Sequence, residues 1–243
     1  MTGNASIQHS IRKSTLEDTM AGKYLFLGFP LTPVSPSPPA IPAIKLSPFL
    51  TIEKDEACVT LMELTSHTGT HLDTPGHVIE DGLRLTDFEV EDFVFNHPLV
   101  IDLPLGDGTV VQPEHLEPFV EQGQDADMLL VRFGFGRVRR SEPARFSKRS
   151  PGFGVESAQF LRDRFPGLRA LGMDVPSLSC IEHLDMTFKA HHVLLGGPGR
   201  KFLVIEDMDL EKDLSGLKQV FVAPLLVERI DGAPCTVLGI LNP

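Results

Sequence analysis

Between residues 67 and 77 the chain reads His-Thr-Gly-Thr-His-Leu-Asp-Thr-Pro-Gly-His, which puts His67, His71, Asp73 and His77 within eleven residues. Imidazole nitrogen and carboxylate oxygen are donors that Zn(II), Mn(II) or Fe(II) accept, and a set without thiolate points to a catalytic rather than a structural ion. The offsets of 0, 4, 6 and 10 are all even. Side chains of an extended backbone alternate faces, so His67, His71 and Asp73 can project to one side. A helix would also bring His67 and His71 together, but Gly69, Pro75 and Gly76 argue against one, and Asp73 would then point elsewhere. A strand running into a loop is the expected carrier. An ion held there lowers the pKa of bound water to about 7 and polarises a carbonyl oxygen, which serves hydroxide attack on an amide, formamide or lactam. His77 lies four residues beyond Asp73, past Pro75-Gly76, where it can reach the substrate side and hand a proton to a leaving nitrogen.

The elements that must carry these residues are short and mostly extended. Cys58 to Thr65 alternates, is rich in strand formers and leads toward His67. Further strands are expected at Leu99–Leu103, Met128–Phe133, Ala170–Met173, Phe202–Ile205, Gln219–Val227 and Thr236–Leu241. Helices are expected over Pro113–Gln122, opened by its proline, and over Glu156–Phe165, closing before Pro166. The apolar run from Tyr24 to Leu31 leads into Pro30, Pro33, Pro36, Pro38, Pro39 and Pro42, whose missing N–H groups predict an extended surface loop. Residues 1–22 are polar and aperiodic and read as a tail or arm, which leaves 23–243 as the domain. Gly196 to Lys201 lacks both the spacing of a phosphate-binding loop and the hydroxyl after the lysine, and reads as a turn.

A chain of 243 residues with 42% hydrophobic and 23% charged residues is that of one soluble globular domain. The net charge of −11 repels phosphate backbones and excludes nucleic acid as the expected partner. Arg132, Arg137, Arg139, Arg140, Arg145, Lys148 and Arg149 run against that trend, with Glu142 as the single acid among them, and read as a solvated loop; contact with an anionic substrate or an acidic partner subunit is the other reading. Cys58, Cys180 and Cys235 are an odd number without a CxxC and are expected reduced. No apolar stretch is long enough to span a bilayer and the start shows no secretory core, so no membrane association and a cytoplasmic location are expected.

His67-Thr-Gly-Thr-His71-Leu-Asp73-Thr-Pro-Gly-His77 resembles the HxGTHxDxPxH motif of the metal-dependent cyclase family, which includes bacterial kynurenine formamidases and isatin hydrolases. Weaker signatures extend the resemblance from about Phe26 to Leu241: Pro151-Gly152, Leu171 to Ser177, the His191-His192 run, Glu206 in LVIEDMDL, and APLLVERIDGAPCTVLGIL. The resemblance implies a single α/β domain of the swivelling β/β/α type, with a mixed sheet and flanking helices. It implies His67, His71 and Asp73 as metal ligands, Asp73 able to bridge to a second ion, with His191 and Glu206 completing the site and His77 as proton shuttle. His192 is the alternative to His191, which better fits a ligand placed after a small residue and before an apolar pair.

One or two Zn or Mn ions per chain, a small-molecule substrate and a homodimer or homotetramer follow from the same resemblance. So does hydrolysis of a C–N bond in a small amide, formamide or cyclic imide; a lactone or another cyclic carbonyl, or a non-catalytic role in binding metal or ligand, is the alternative. Family members acting on formylkynurenine stack a tryptophan of the early loop on their substrate. This chain has no tryptophan, so Phe26 or Phe29 is expected in its place, with Ser177 at a strand end as a further substrate contact.

Overall fold

The computed structural model describes residues 24–197 and 201–242. The arm expected over 1–22 and the middle of the expected 196–201 turn lie outside the described residues. Among the described residues thirteen strands are formed: β1 (Tyr24–Phe26), β2 (Lys45–Leu50), β3 (Val59–Glu63), β4 (His71–Asp73), β5 (Val94–Phe95), β6 (Pro98–Asp102), β7 (Val110–Val111), β8 (Met128–Arg132), β9 (Gly152–Phe153), β10 (Ala170–Met173), β11 (Leu203–Glu206), β12 (Leu217–Pro224) and β13 (Gly232–Leu241). The helices are α1 (Ile52–Asp55), α2 (Pro113–Leu116), α3 (Phe135–Ser141), α4 (Pro143–Arg149), α5 (Val155–Arg164), α6 (Leu184–Thr187) and α7 (Lys189–Gly196).

Nine strands make one mixed sheet in the order β5-β12-β13-β4-β11-β10-β8-β6, with β1 paired to β13. The segment β6-β8-β10-β11 is parallel, and the pairings from β11 through β4, β13 and β12 to β5 are antiparallel. Its two edge strands, β5 and β6, are separated in the chain only by Asn96 and His97, whose N–H groups are both held by the Asp127 carboxylate at 2.8 and 2.9 Å. The sheet therefore curls until its ends nearly meet, and this is the expected α/β architecture of mixed sheet and flanking helices.

Alternation along the strands fills two cores. Met128 and Leu130 of β8, Leu203 and Ile205 of β11 and Leu72 of β4 point into the curl of the sheet with Phe95, Val220 and Val237. Leu129, Val131, Leu171 and Val204 face the other way and meet the helices through Phe146, Ala158, Leu161, Leu194 and Leu195. Each large side chain so buried contributes about 1.5–3 kcal/mol. With Leu72 pointing inward, its neighbours His71 and Asp73 must face the helix layer.

The expected elements appear with shifted ends for identifiable reasons. The helix begun at Pro113 stays α-helical only to Leu116 and tightens to a 3₁₀ turn over Glu117–Phe119, where Pro118 has no N–H to give. Strand β13 starts at Gly232 rather than Thr236, because Gly232, Ala233 and Pro234 pair with β4. The basic stretch is a correction: instead of a solvated loop it forms the end of β8 and helices α3 and α4. Most of its cations are matched within the chain, among them Arg132 to Asp102, Arg137 to Glu211, Arg140 to Asp209 and Arg145 to Asp107. Exposed pairs of this kind contribute at most about 1 kcal/mol each. Arg139 differs, its side chain 9% exposed in a two-bonded pair with the buried Asp207 at 2.5 and 2.8 Å. Asp174 accepts the N–H groups of Phe133, Gly134 and Gly136 and so fixes the entry to α3; burial pushes its carboxyl up to about 6 in spite of those bonds.

The hairpin of β2 and β3 stands apart from the main sheet. Leu46, Phe49, Ile52, Val59, Leu61 and Met62 are all exposed on it. Among the described residues no helix is long and apolar enough to cross a membrane.

Candidate metal centre

The centre is assembled from strands distant in sequence. β4 lies between β11 and β13, and its register sets His71 opposite Glu206, with their side chains on the helix-facing side. Gly69 adopts φ +62, a left-handed turn that folds the segment before β4 back so that His67 returns beside Asp73. Gly232 permits the close approach on the other flank, since a Cβ there would collide with the Leu72 carbonyl. Helix α7, which the sequence did not announce, lays His191 over the same face. His71, Asp73, His191 and Glu206 are buried, at 3, 1, 3 and 4% exposure.

Each of three imidazoles has one nitrogen tied to a fixed partner and the other facing the carboxylates. His71 Nδ1–H donates to the Gly69 carbonyl at 2.7 Å, and Nε2 faces Glu206 Oε2 at 3.2 Å and Asp73 Oδ1 at 3.5 Å. His191 Nδ1 is 3.1 Å from Ser179 Oγ, itself 3.3 Å from the Thr187 carbonyl to which it donates. The other nitrogen of His191, Nε2, lies 3.5 Å from Glu206 Oε1 and 3.9 Å from Asp73 Oδ2. His67 meets Asp73 Oδ1 through Nδ1 at 2.8 Å and Asp231 Oδ2 through Nε2 at 2.7 Å. His77 completes the group, with Nδ1 3.3 Å from the same Asp231 oxygen and its ring centroid 4.2 Å from that of His67.

The electrostatics ask for positive charge at the middle. Burial disfavours an imidazolium at His67, but the bonds to Asp231 and Asp73 and their charge outweigh it and raise His67 to about 10. His71 is raised against the same opposing burial by Glu206 and Asp73. Glu206 is the converse: burial alone would raise it, and the close imidazoles of His191 and His71 hold it well below the usual carboxylate range. A divalent cation satisfies such a set as well as protons do. The geometry fits one, since His71 Nε2 is a buried polar atom without a hydrogen-bond partner, directed at two carboxylates. The sets His67, His71, Asp73 and Asp73, His77, His191 each bring ligand atoms within 4.8 Å of one another.

A cavity of about 160 Å³ opens over these residues, with Ser177 at its wall and Pro38, Ala40, Ile41, Ile181, Leu184 and Phe188 forming an apolar side. Of the expected site residues, the structure brings together His67, His71, Asp73, His77, His191, Glu206 and Ser177. His192 is exposed beside Val155 and Lys189 on the other side of α7. Phe26 and Phe29 are corrections, because neither reaches this cavity. Pairing of β1 with β13 leaves Phe26 opposite Leu238 and exposed, and Phe29 lies beneath the Arg139 guanidinium, 4.0 Å from its ring centroid. Phe188 is the aromatic side chain that lines the cavity, its ring centroid 5.3 Å from that of His191. Asp231 and Ser179 are the residues that sequence reasoning missed; only the Asp-Gly-Ala-Pro stretch, a turn signal entering a strand, marked the neighbourhood of the first.

Fold and centre together are a curled mixed sheet that gathers histidines and carboxylates able to hold a metal ion. The chain belongs to the Cyclase family, whose sequence profile matches residues 17–179. The kynurenine formamidase of Bacillus cereus is 27% identical over 191 residues, 79% of this chain and 83% of that protein. The kynurenine formamidase of Bacillus cytotoxicus is 28% identical over 180 residues, covering 74% and 78% of the two chains. Isatin hydrolase A from Labrenzia aggregata, solved with benzyl benzoate bound, has the same fold, with a TM-score of 0.75 at 21% identity over 91% of this chain and 94% of that one.

Proposed function

We propose that this protein hydrolyses the C–N bond of a small amide, formamide or cyclic imide at a centre holding one or two Zn or Mn ions. The observation that carries the reading is the convergence of His67 Nδ1, His71 Nε2 and His191 Nε2 on Asp73 and Glu206 at the base of a cavity that His77 also lines. His67, His71, Asp73, His191 and Glu206 would hold the ion, which supplies acidified water and a polarised carbonyl. His77 hands the proton to the leaving nitrogen. Phe188, Leu184 and Ile41 pack the apolar part of the substrate and exclude water around it. An apolar cavity of about 150 Å³ accepts benzene, so the volume here suits a single ring or a short chain. The names of the kynurenine formamidase relatives support the formamide end of this range.

The test begins with elemental analysis of untagged protein that has met no chelator. The expected result is one or two equivalents of Zn or Mn per chain, followed by turnover in a screen of formamides, imides and lactones with that metal. Protein that carries no ion and takes none up on reconstitution overturns the reading.

A homodimer or homotetramer in a reducing, cytoplasmic setting belongs to the same reading. Its support is the apolar hairpin, since two strands alone are marginally stable and exposed apolar patches mark association surfaces. The three cysteines are free. Light scattering is expected to give two or four times the chain mass, and Phe49→Glu with Leu61→Glu is expected to give one; a monomeric wild type refutes the assembly.

A further inference from the structure

Asp231 lies in the late APLLVERIDGAPCTVLGIL stretch, with no role assigned by the 67–77 motif, yet one of its oxygens contacts two of the histidines. Oδ2 lies 2.7 Å from His67 Nε2 and 3.3 Å from His77 Nδ1, and the residue arrives from the turn between β12 and β13, 154 residues beyond His77. Its backbone is fixed as well: the Asp231 carbonyl accepts the Thr74 N–H at 3.0 Å and the Thr74 hydroxyl at 2.9 Å. The carboxylate is therefore anchored to the strand end that carries Asp73. A neutral imidazole has one N–H and one lone pair, and the partner of the first decides which nitrogen keeps the second. With Nε2–H given to Asp231, the nitrogen of His67 left to act as ligand is Nδ1, the one that faces Asp73. Gly69 and Ser179 do the same for His71 and His191. Metal-binding histidines regularly carry such an outer partner.

His67, His77 and Asp231 also cluster closely enough to hold an ion by themselves. That set has three donors and partly exposed side chains, whereas the Asp73 side gathers five donors with four of the residues buried. We propose that Asp231 is a positioning residue that sets the tautomer of His67 as a metal ligand and, through the same oxygen, orients His77 toward the substrate. The inference rests on the metal-hydrolase reading above.

The experiment measures Zn affinity by chelator competition, ion count per chain, and turnover at saturating metal in wild type, Asp231→Asn, His77→Ala and the double variant. Asp231→Asn is expected to weaken Zn binding about 10–100-fold at an unchanged ion count, while His77→Ala leaves affinity within about threefold. The double variant is expected to turn over no more slowly than His77→Ala alone, because Asp231 acts on the proton step only through His77. Asp231→Glu, which keeps the charged carboxylate that Asn lacks, is expected to restore most of the affinity, and guards against a variant that fails to fold. Unchanged Zn affinity in Asp231→Asn overturns the role, and so does loss of a whole ion, which would make Asp231 a ligand. Wild type that binds no metal instead sinks the reading on which the inference depends.

Discussion

Asp73→Asn is expected to remove bound metal and turnover together. Asp73 is 1% exposed and its two oxygens face all three imidazoles, Oδ1 toward His67 and His71 and Oδ2 toward His191. The amide keeps the shape but loses the charge and one acceptor, leaving Glu206 as the buried anion that faces His71 and His191. Loss of an outer partner already costs about 10–100-fold in affinity, so loss of this central group is expected to exceed about 100-fold in both metal affinity and turnover. Elemental analysis and turnover of the variant check this together. Circular dichroism of metal-free wild type and variant is expected to coincide, because the strand is held by β11 and β13 through its backbone. A variant with full metal occupancy would refute the assignment of Asp73.

The second large effect separates chemistry from binding. His77→Ala is expected to retain its metal while turnover of the substrate found in the screen falls about 100-fold or more, the range for a lost acid or base. His77 is held at Nδ1 by Asp231 and stands on the 3₁₀ turn Pro75–His77, outside the strand that carries His71 and Asp73. Truncation there leaves His67, His71, His191, Asp73 and Glu206 in place. Metal content and kcat measured on one preparation decide the matter. Unchanged kcat would remove His77 from the reaction; lost metal would make it a ligand.

What could be read from the sequence divides along a physical line. The even offsets of His71 and Asp73 revealed a shared face because side-chain direction in a strand depends only on local backbone, and β4 puts both on the helix side. His67 needed more, since its place beside Asp73 comes from the Gly69 turn rather than from strand alternation. Glu206 has Asp207 and Asp209 beside it in the sequence, and only the central place of β11 in the sheet buries it. Asp231 and Ser179 are ordinary residue types at no telling interval, brought to the site by tertiary structure. The arginine-rich stretch misled for the same reason, as the acids that neutralise it, Asp102, Asp207, Asp209 and Glu211, lie far from it along the chain on either side. Phe26 and Phe29 were chosen for ring type and position in an early loop, and neither criterion knows that β1 runs along the outside of β13.

The place of β4 bears on the order of folding. This three-residue strand has both its neighbours, β11 and β13, more than a hundred residues later in the chain. Closing such distant contacts is entropically slow, and local propensity in so short a segment cannot hold it extended beforehand. During synthesis the motif at 67–77 therefore leaves the ribosome long before anything can align it. His67, His71 and Asp73 gain their common geometry only when β13 emerges and zips against them, so competence to bind metal arrives late, and all at once, with completion of the sheet.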